Sequence, residues 1–309
     1  MNSSALPGQL DAGERVALIA PSSPAAPAVL DAAVRSLEFL GLMPVVMPSC
    51  RMRHGYLSGS DSVRAEDINK AFASGNIKGI FCLRGGYGSA RLLPLINYDI
   101  IRNNPKIFIG YSDITALHAA FNQICELPTL HGPMPGADYT SLDKFSLDSL
   151  KNSLFSRKSM TALENPPTLH LKALFPGKAS GVLTGGNLTV LASTLGSLYE
   201  IDTRDKIVFL EDVNEPLYKI DRALTALELA GKFRDCSGVI LGTFTGCGDC
   251  CPDDSLSFSE IIDEIIFRHR KPVISNLYAG HTYPQITLPL GRPVSISASD
   301  DGTCCIKIR

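Results

Sequence analysis

The chain has 309 residues, 45% of them hydrophobic and 19% charged, with a formal net charge of -2. That length exceeds what one hydrophobic core usually holds, so two domains are expected. The 29 basic residues are scattered among 31 acidic ones without a basic stripe, and no stretch approaches the ~18 uninterrupted apolar residues of a bilayer span, so neither nucleic acid nor membrane is an expected partner.

In chain order, "RVALIAP" (15–21) reads as a buried strand broken by a Pro/Ser loop. Residues 28–40 read as a helix, with Leu30, Val34, Leu37 and Leu40 at helical spacing. "PVVMP" (44–48) is a short strand, 61–73 a polar helix, and "IKGIFCL" (77–83) a strand leading into "RGGYGSAR" (84–91) and an apolar helical segment. "KIFIG" (106–110) is the next strand, followed from Ile114 by a helix with Leu117, Phe121 and Ile124 on one face. Alternating strands and helices predict a parallel sheet covered on both sides. Ligands of such sheets sit outside the carboxyl ends of the strands. Both "RGGYG" and "GYSD" fall at such ends.

From about 140 to 178 polar residues and prolines mark a linker, with one helix at 146–155. The second half opens with "SGVLTGGNLTVLASTLGS" (180–197), read as a strand, a glycine turn and a helix. "KIVFLEDV" (206–213) is a strand ending in two acids, Pro216–Leu229 an amphipathic helix, "CSGVILGTF" (236–244) a strand and 258–269 a helix. "KPVISNLYAGHTYP" (271–284) is a strand running into a loop, and the tail a hairpin turning at "DDG". The expected organisation is an N-terminal α/β domain over 1–145, a linker over 146–178 and a C-terminal, β-rich α/β domain over 179–309.

At Gly110-Tyr111-Ser112-Asp113 a strand hands over to a helix. A serine there can be held out on a sharp turn above helix N-terminal amides that lack intrahelical acceptors. The plainer alternative is that Ser112 or Asp113 only caps the helix. The spacing also departs from G-x-S-x-G, because residue 114 is isoleucine. The glycines of "RGGYG" allow close backbone approach to a ligand, and no Walker lysine follows them. A serine nucleophile needs a base and an orienting acid. His118 lies beside an apolar stripe and reads as packing, whereas His131 and His281 each sit next to glycine in a loop after a strand. Spacing leaves His131 and His281 both open, and leaves the acid open among Glu211, Asp212 and Glu215.

Taken together, "GYSDITALH", "FCLRGGYGSARLLPLI", "LTGGNLTVLASTLGS", "FLEDVNEPLYKIDR" and "AGHTYPQITLPLG" resemble the LD-carboxypeptidases. That serine peptidase family includes muramoyltetrapeptide carboxypeptidases and microcin C immunity peptidases. The resemblance covers roughly residues 14–300, with the blocks in family order. It implies an N-terminal doubly wound, mostly parallel sheet and a C-terminal β-rich α/β domain with the active site between them, Ser112 as nucleophile, and Glu211 and His281 as acid and base supplied by the second domain. It implies backbone oxyanion donors at Gly86, or alternatively Gly85, and at Asp113, with Gly85 and Asn187 also lining the substrate site. His131 then becomes a pocket-lining or structural residue. It also implies a homodimer that needs no metal or organic cofactor. The reaction implied is removal of the terminal D-alanine from murein tetrapeptides; the N-terminal "MNSSALPGQLDAGERVALIA", with neither a basic n-region nor an apolar h-region, is expected to leave the chain in the cytoplasm, an address that fits recycling of wall peptides. A carboxypeptidase must read a free carboxylate, for which Arg84 beside the glycine turn has suitable fork geometry; Tyr87 is a further substrate-binding candidate.

Two alternatives remain at this level: the same chemistry on a peptidyl-nucleotide, or a non-catalytic binder of wall peptides. Nine cysteines, an odd number, are expected to be reduced thiols rather than a disulfide framework. "TGCGDCCPDD" (245–254) with Cys304-Cys305 could in principle supply metal ligands, but the paired C-x-x-C spacing of a zinc site is missing. Cys247, Cys250 and Cys251 are therefore read as part of a variable rim, with no metal.

Overall fold

The computed structural model describes residues 7–156, 161–248 and 255–309. The chain divides into two compact units, one comprising Met1–Ser159 with Thr287–Gly291, the other Met160–Ile286 with Arg292–Arg309.

The first unit contains β1 (Arg15–Ile19), α1 (Pro27–Phe39), β2 (Met43–Val46), α2 (Asp61–Ala73), β3 (Gly79–Cys82), α3 (Tyr98–Asn103), β4 (Ile107–Gly110), α4 (Thr115–Ile124), β5 (Thr129–His131) and α5 (Lys144–Phe155). Its strands lie in the order β2-β1-β3-β4-β5, all parallel, and Leu288–Leu290 adds an antiparallel edge next to β5. The strand cores are apolar without alternation because both faces are covered. Val16, Leu18, Phe81 and Ile109 point to the layer of α1 and α5, packing with Leu30, Leu37, Leu150 and Leu154. The opposite face carries Phe108, which packs with Phe72 of α2 and Phe121 of α4 at centroid separations of 6.3 and 4.9 Å. Each such aromatic pair adds about 0.5–1.5 kcal/mol beyond the area it buries. Local chemistry agrees with the fold: Pro27 opens α1, while Ser60 caps α2 with its side chain. The strand order reverses between β1 and β3, and such switch points are where doubly wound sheets bind ligands.

The second unit contains β6 (Lys172–Phe175), β7 (Gly177–Asn187), α6 (Leu188–Ser193), β8 (Ile207–Val213), α7 (Leu217–Leu229), α8 (Lys232–Asp235), β9 (Gly238–Thr245), α9 (Phe258–Ile265) and β10 (Val273–Ser275). The chain then contributes β11 (Leu288–Leu290) to the first unit's sheet and returns as β12 (Pro293–Ala298) and β13 (Cys304–Ile308). The sheet order is β13-β12-β7-β8-β9-β10-β6, parallel from β7 to β10 and antiparallel at both flanks. The fold is thus mixed α/β with two sheets.

Several elements differ from the sequence expectation. Gly185 and Gly186 do not form a turn; they lie inside β7, where a side chain on Gly185 would collide with the Phe209 carbonyl oxygen of the neighbouring β8. The helix expected over 258–269 ends at Ile265 and a 3-10 turn, Phe267–His269, follows. The apolar stretch after "RGGYG" is a 3-10 helix, Ser89–Leu95, containing Pro94, which has no N–H to continue an α-helix. Within the segment read as a linker, Lys172–Phe175 is an edge strand.

Candidate active site

In the first unit, β4 ends at Gly110 and Ser112 takes φ of 66°, a left-handed conformation that non-glycine residues avoid. Ser112–Ile114 form one 3-10 turn, which passes directly into α4. Such backbone costs on the order of 1–3 kcal/mol and persists only where the surroundings enforce it. Here they do. A Cβ on Gly110 would come within 2.9 Å of Ile114 Cγ1 and 3.2 Å of Cys82 Cβ, so only glycine lets the chain turn this tightly. The Gly110 carbonyl accepts from the Gly132 amide at 3.1 Å and pairs with His118 Nε2 at 2.9 Å. His118 Nδ1 lies 2.8 Å from Thr129 Oγ1. Burial pushes the His118 pKa down to about 4, against a smaller upward pull from the Gly110 carbonyl. A neutral ring donating from Nε2 to Gly110 and accepting at Nδ1 from Thr129 satisfies both contacts. His118 is therefore a buried anchor of the corner as well as a packing residue.

The glycine turn after β3 lies against this corner. A Cβ on Gly85 would sit 3.0 Å from Ser112 Cβ, 3.1 Å from Ser112 Oγ and 3.6 Å from the Asp113 nitrogen. The missing side chain thus leaves space beside both the hydroxyl and the Asp113 amide. Gly86 has φ of 121°, and a side chain there would run into Ser23. Ser23 Oγ in turn accepts from the Tyr87 amide at 3.2 Å. Tyr87 is exposed and meets Tyr56 edge-on, with centroids 5.7 Å apart. Arg84 is also exposed; its guanidinium reaches the Gly85 and Pro24 carbonyls at 3.3 and 3.4 Å. His131 is fully buried, with Tyr111 and His118 as ring neighbours at 5.9 and 6.2 Å.

Three residues of this corner carried no sequence signal. The buried Arg64 of α2 donates to the Pro21 carbonyl and, at 3.0 Å, to that of Gly88. The Asp113 carboxylate does not turn back onto its own helix. Its Oδ2 accepts from Ser22 Oγ at 2.6 Å and from the Ser89 amide at 2.8 Å, while the Ser89 hydroxyl donates to the Asp113 carbonyl. Ser22 is 91 residues away and Ser89 24, so no local pattern could have paired them with Asp113.

In the second unit, Glu211 is fully buried near the end of β8. Its Oε2 lies 2.8 Å from His281 Nδ1 and accepts from the His281 amide at 3.3 Å. With Nδ1–H donated to the carboxylate, the lone pair of the neutral ring resides on Nε2, the tautomer a general base requires. Gly280 makes this approach possible, because any side chain there would collide with Glu211 Oε2. Gln285, also buried, donates to the Gly280 carbonyl at 2.5 Å and holds the loop. Of the three acids left open by spacing, Glu211 is the one hydrogen-bonded to a candidate histidine. Asp212 instead accepts from Asn187 Nδ2 at 3.0 Å and from Thr189, and Glu215 pairs with Lys219 at 3.1 Å. Asn187 stands opposite Glu211 in the β7–β8 register, and its side chain caps α6 through the Val190 amide.

Among the described residues no group of three or more His, Cys, Asp or Glu side chains could hold a metal ion, and no helix is long and apolar enough to cross a membrane. Cys250 and Cys251 lie outside the described residues. Cys304 and Cys305 occupy successive positions of β13, whose side chains alternate between the two faces of the sheet.

The first unit thus carries a half-buried serine on a strained corner, and the second an imidazole oriented by a buried carboxylate. Residues 16–132 match the LD-carboxypeptidase N-terminal domain and residues 180–296 the LD-carboxypeptidase C-terminal domain. The chain is 38% identical to the probable murein peptide carboxypeptidase of Bacillus subtilis, over 95% of this chain and 92% of that protein. It is 33% identical to the murein tetrapeptide carboxypeptidase of Pseudomonas aeruginosa, over 90% and 91%. Among solved structures, an MccF-like protein from Bacillus anthracis superimposes with a TM-score of 0.87 at 28% identity, covering 98% of this chain and 99% of that one. The chain belongs to the LD-carboxypeptidase family.

Proposed function

We propose that this protein is a serine LD-carboxypeptidase that removes the terminal D-alanine from murein tetrapeptides, with Ser112, His281 and Glu211 as its catalytic triad. Ser112 Oγ attacks the carbonyl between the L-centre of the diamino acid and D-alanine, and His281 takes the hydroxyl proton at Nε2. Glu211 keeps the ring in that tautomer and stabilises the imidazolium as it forms. The tetrahedral oxyanion is held by the amide of Asp113 and an amide of the glycine turn, Gly86 or Gly85. Collapse expels D-alanine, whose amine receives the proton from His281. Water then repeats the cycle on the acyl-enzyme with the same base. Arg84 and Tyr87 are substrate-binding candidates on the glycine turn, and Asn187 a further one beside Glu211. The observation that carries this reading is the left-handed Ser112 at the carboxyl end of β4, with Gly85 leaving space beside its hydroxyl. The relatives' names as murein peptide carboxypeptidases support the substrate class.

The test is incubation of the pure protein with a murein tetrapeptide and measurement of free D-alanine. Release should be unaffected by EDTA and should fall on the order of 10⁴-fold or more in Ser112→Ala. Full activity in that variant would remove Ser112 from the mechanism. Cleavage of an aminoacyl-sulfamoyl adenylate with none of the tetrapeptide would move the substrate to the peptidyl-nucleotide class. Binding of tetrapeptide without turnover would make the protein a wall-peptide binder. The same reading carries a homodimer acting in the cytoplasm on recycled wall peptides, checked by light scattering and cell fractionation.

A further inference from the structure

We propose that the Asp113 side chain is a positioning residue of this reaction, locking the glycine turn to the serine corner so that oxyanion donors from two separate loops share one focus. Ser22 and Ser89 are its working partners. The inference rests on the reading of Ser112 as nucleophile and assigns the Asp113 carboxylate a task separate from that of its amide.

Three loops meet at Asp113, one from the carboxyl end of each of β1, β3 and β4. Ser22 comes from the first, Ser89 from the residue after the glycine turn, and Asp113 from the corner itself. One carboxylate oxygen accepts from both serines, at 2.6 Å from the Ser22 hydroxyl and 2.8 Å from the Ser89 amide. The Ser89 hydroxyl closes a second link by donating to the Asp113 carbonyl. The arrangement is dry: Asp113 is 5% exposed, and Ser22 and Ser89 are fully buried. Ser22 is fixed from behind, since its carbonyl accepts from both the amide and the hydroxyl of Ser58 at 3.0 Å. The carboxylate therefore bears on an already rigid loop, and Ser89, immediately after Gly88, is where that rigidity passes to the glycine turn.

The chemistry explains why a carboxylate is used. Oxyanion donors must lie within about 0.5 Å of their productive positions, and no secondary-structure ladder joins the turn after β3 to the corner after β4. An anionic acceptor makes hydrogen bonds roughly twice as strong as a neutral one, and a single oxygen can receive donors from both loops. An apolar residue of similar shape would fill the space but leave the Ser22 hydroxyl and the Ser89 amide buried without an acceptor.

The experiment compares Asp113→Ala, Asp113→Asn, Ser22→Ala and the Ser22→Ala/Asp113→Ala pair in the tetrapeptide assay. Asp113→Ala should lower kcat on the order of 10²–10³-fold with KM changed less than about threefold, the pattern for a contribution made in the transition state. Asp113→Asn, whose amide oxygen can accept from both partners, should recover at least about tenfold of that loss. Ser22→Ala should lower kcat on its own and add little in the Asp113→Ala background, because the two act through one contact. Equal losses in Asp113→Ala and Asp113→Asn, a loss confined to KM, or a full Ser22→Ala effect in both backgrounds would overturn the proposal. Hydrogen exchange supplies a readout that needs no substrate. Amides 85–89 should exchange at least about tenfold faster in Asp113→Ala than in Asp113→Asn, with the rest of the chain unchanged. Equal exchange in the two variants sinks the lock whatever the enzyme cleaves. A wild-type protein inactive on tetrapeptide, with the exchange difference present, sinks the functional reading instead.

Discussion

His118 gives a prediction whose size follows from the structure. Its ring is fully buried under the serine corner, and burial lowers its pKa from 6.5 to about 4. Between those two values the unfolded chain binds a proton that the folded protein refuses, so stability rises with pH across the window. The contribution is complete above about pH 6.5 and is lost as pH falls toward 4. Each pH unit within the window is worth about 1.4 kcal/mol. Between pH 7 and pH 4.5 the unmodified protein should therefore lose about 2.5 kcal/mol through this group alone. Carboxylates titrate over the same range, so the comparison is with His118→Gln, which can donate to Gly110 and accept from Thr129 but carries no ionisable ring. Urea unfolding of both proteins at several pH values should give stability curves that diverge by about that amount on acidification, the wild type falling faster. Parallel curves would mean that the ring is charged or solvated in the folded state, and the account of the corner's support would fail.

Other expectations follow from contacts already described. Gly280→Ala places a methyl group against Glu211 Oε2 and should displace the carboxylate from His281. The expected result is a kcat loss of at least about 10²-fold, approaching that of Glu211→Gln, with far-UV circular dichroism unchanged. Among the described residues, Cys50, Cys82, Cys125 and Cys236 are buried, and burial raises each thiol pKa, to about 12 for Cys50 and about 11 for Cys125 and Cys236. A disulfide reagent at pH 8 should leave at least these four unmodified until denaturant is added, while the exposed Cys305 reacts at once.

What could be read from the sequence had local causes. β1, β3 and β4 were legible because a strand buried on both faces must be a short, unbroken apolar run, and the serine corner because it interrupts such a run just before a helical stripe. β11 was not. Leu288–Leu290 has proline at its centre, which argues against a strand, and it is tolerated because this strand forms the edge of its sheet, paired with β5 more than 150 residues earlier. β6 was hidden by the proline-rich text around it. Glu211 and His281 each sit in an ordinary strand-to-loop setting; only the fold brings His281 Nδ1 to 2.8 Å from that carboxylate, so spacing could not choose between His281 and His131. The Asp113 partners were invisible for the same reason. Hydrogen bonds across the ends of three strands leave no periodicity in any one segment.

The corner also predicts a conflict between stability and activity. At φ of 66° Ser112 carries a Cβ where glycine would be unstrained. Relieving a left-handed L-residue gains about 1–2 kcal/mol, and the greater freedom of unfolded glycine returns about 0.5–1 kcal/mol of that. Ser112→Gly should therefore be more stable than Ser112→Ala by up to about 1.5 kcal/mol, although both lose the hydroxyl and should be equally inactive. Measuring both variants cancels the loss of the serine hydroxyl's own contacts, which a comparison with the wild type would not. At a position with negative φ the order would be reversed, because alanine restricts the unfolded chain more. If Ser112→Ala proves the more stable, the serine is not held in the left-handed region, and the amide of Asp113 does not stand beneath it in the way the proposed attack requires.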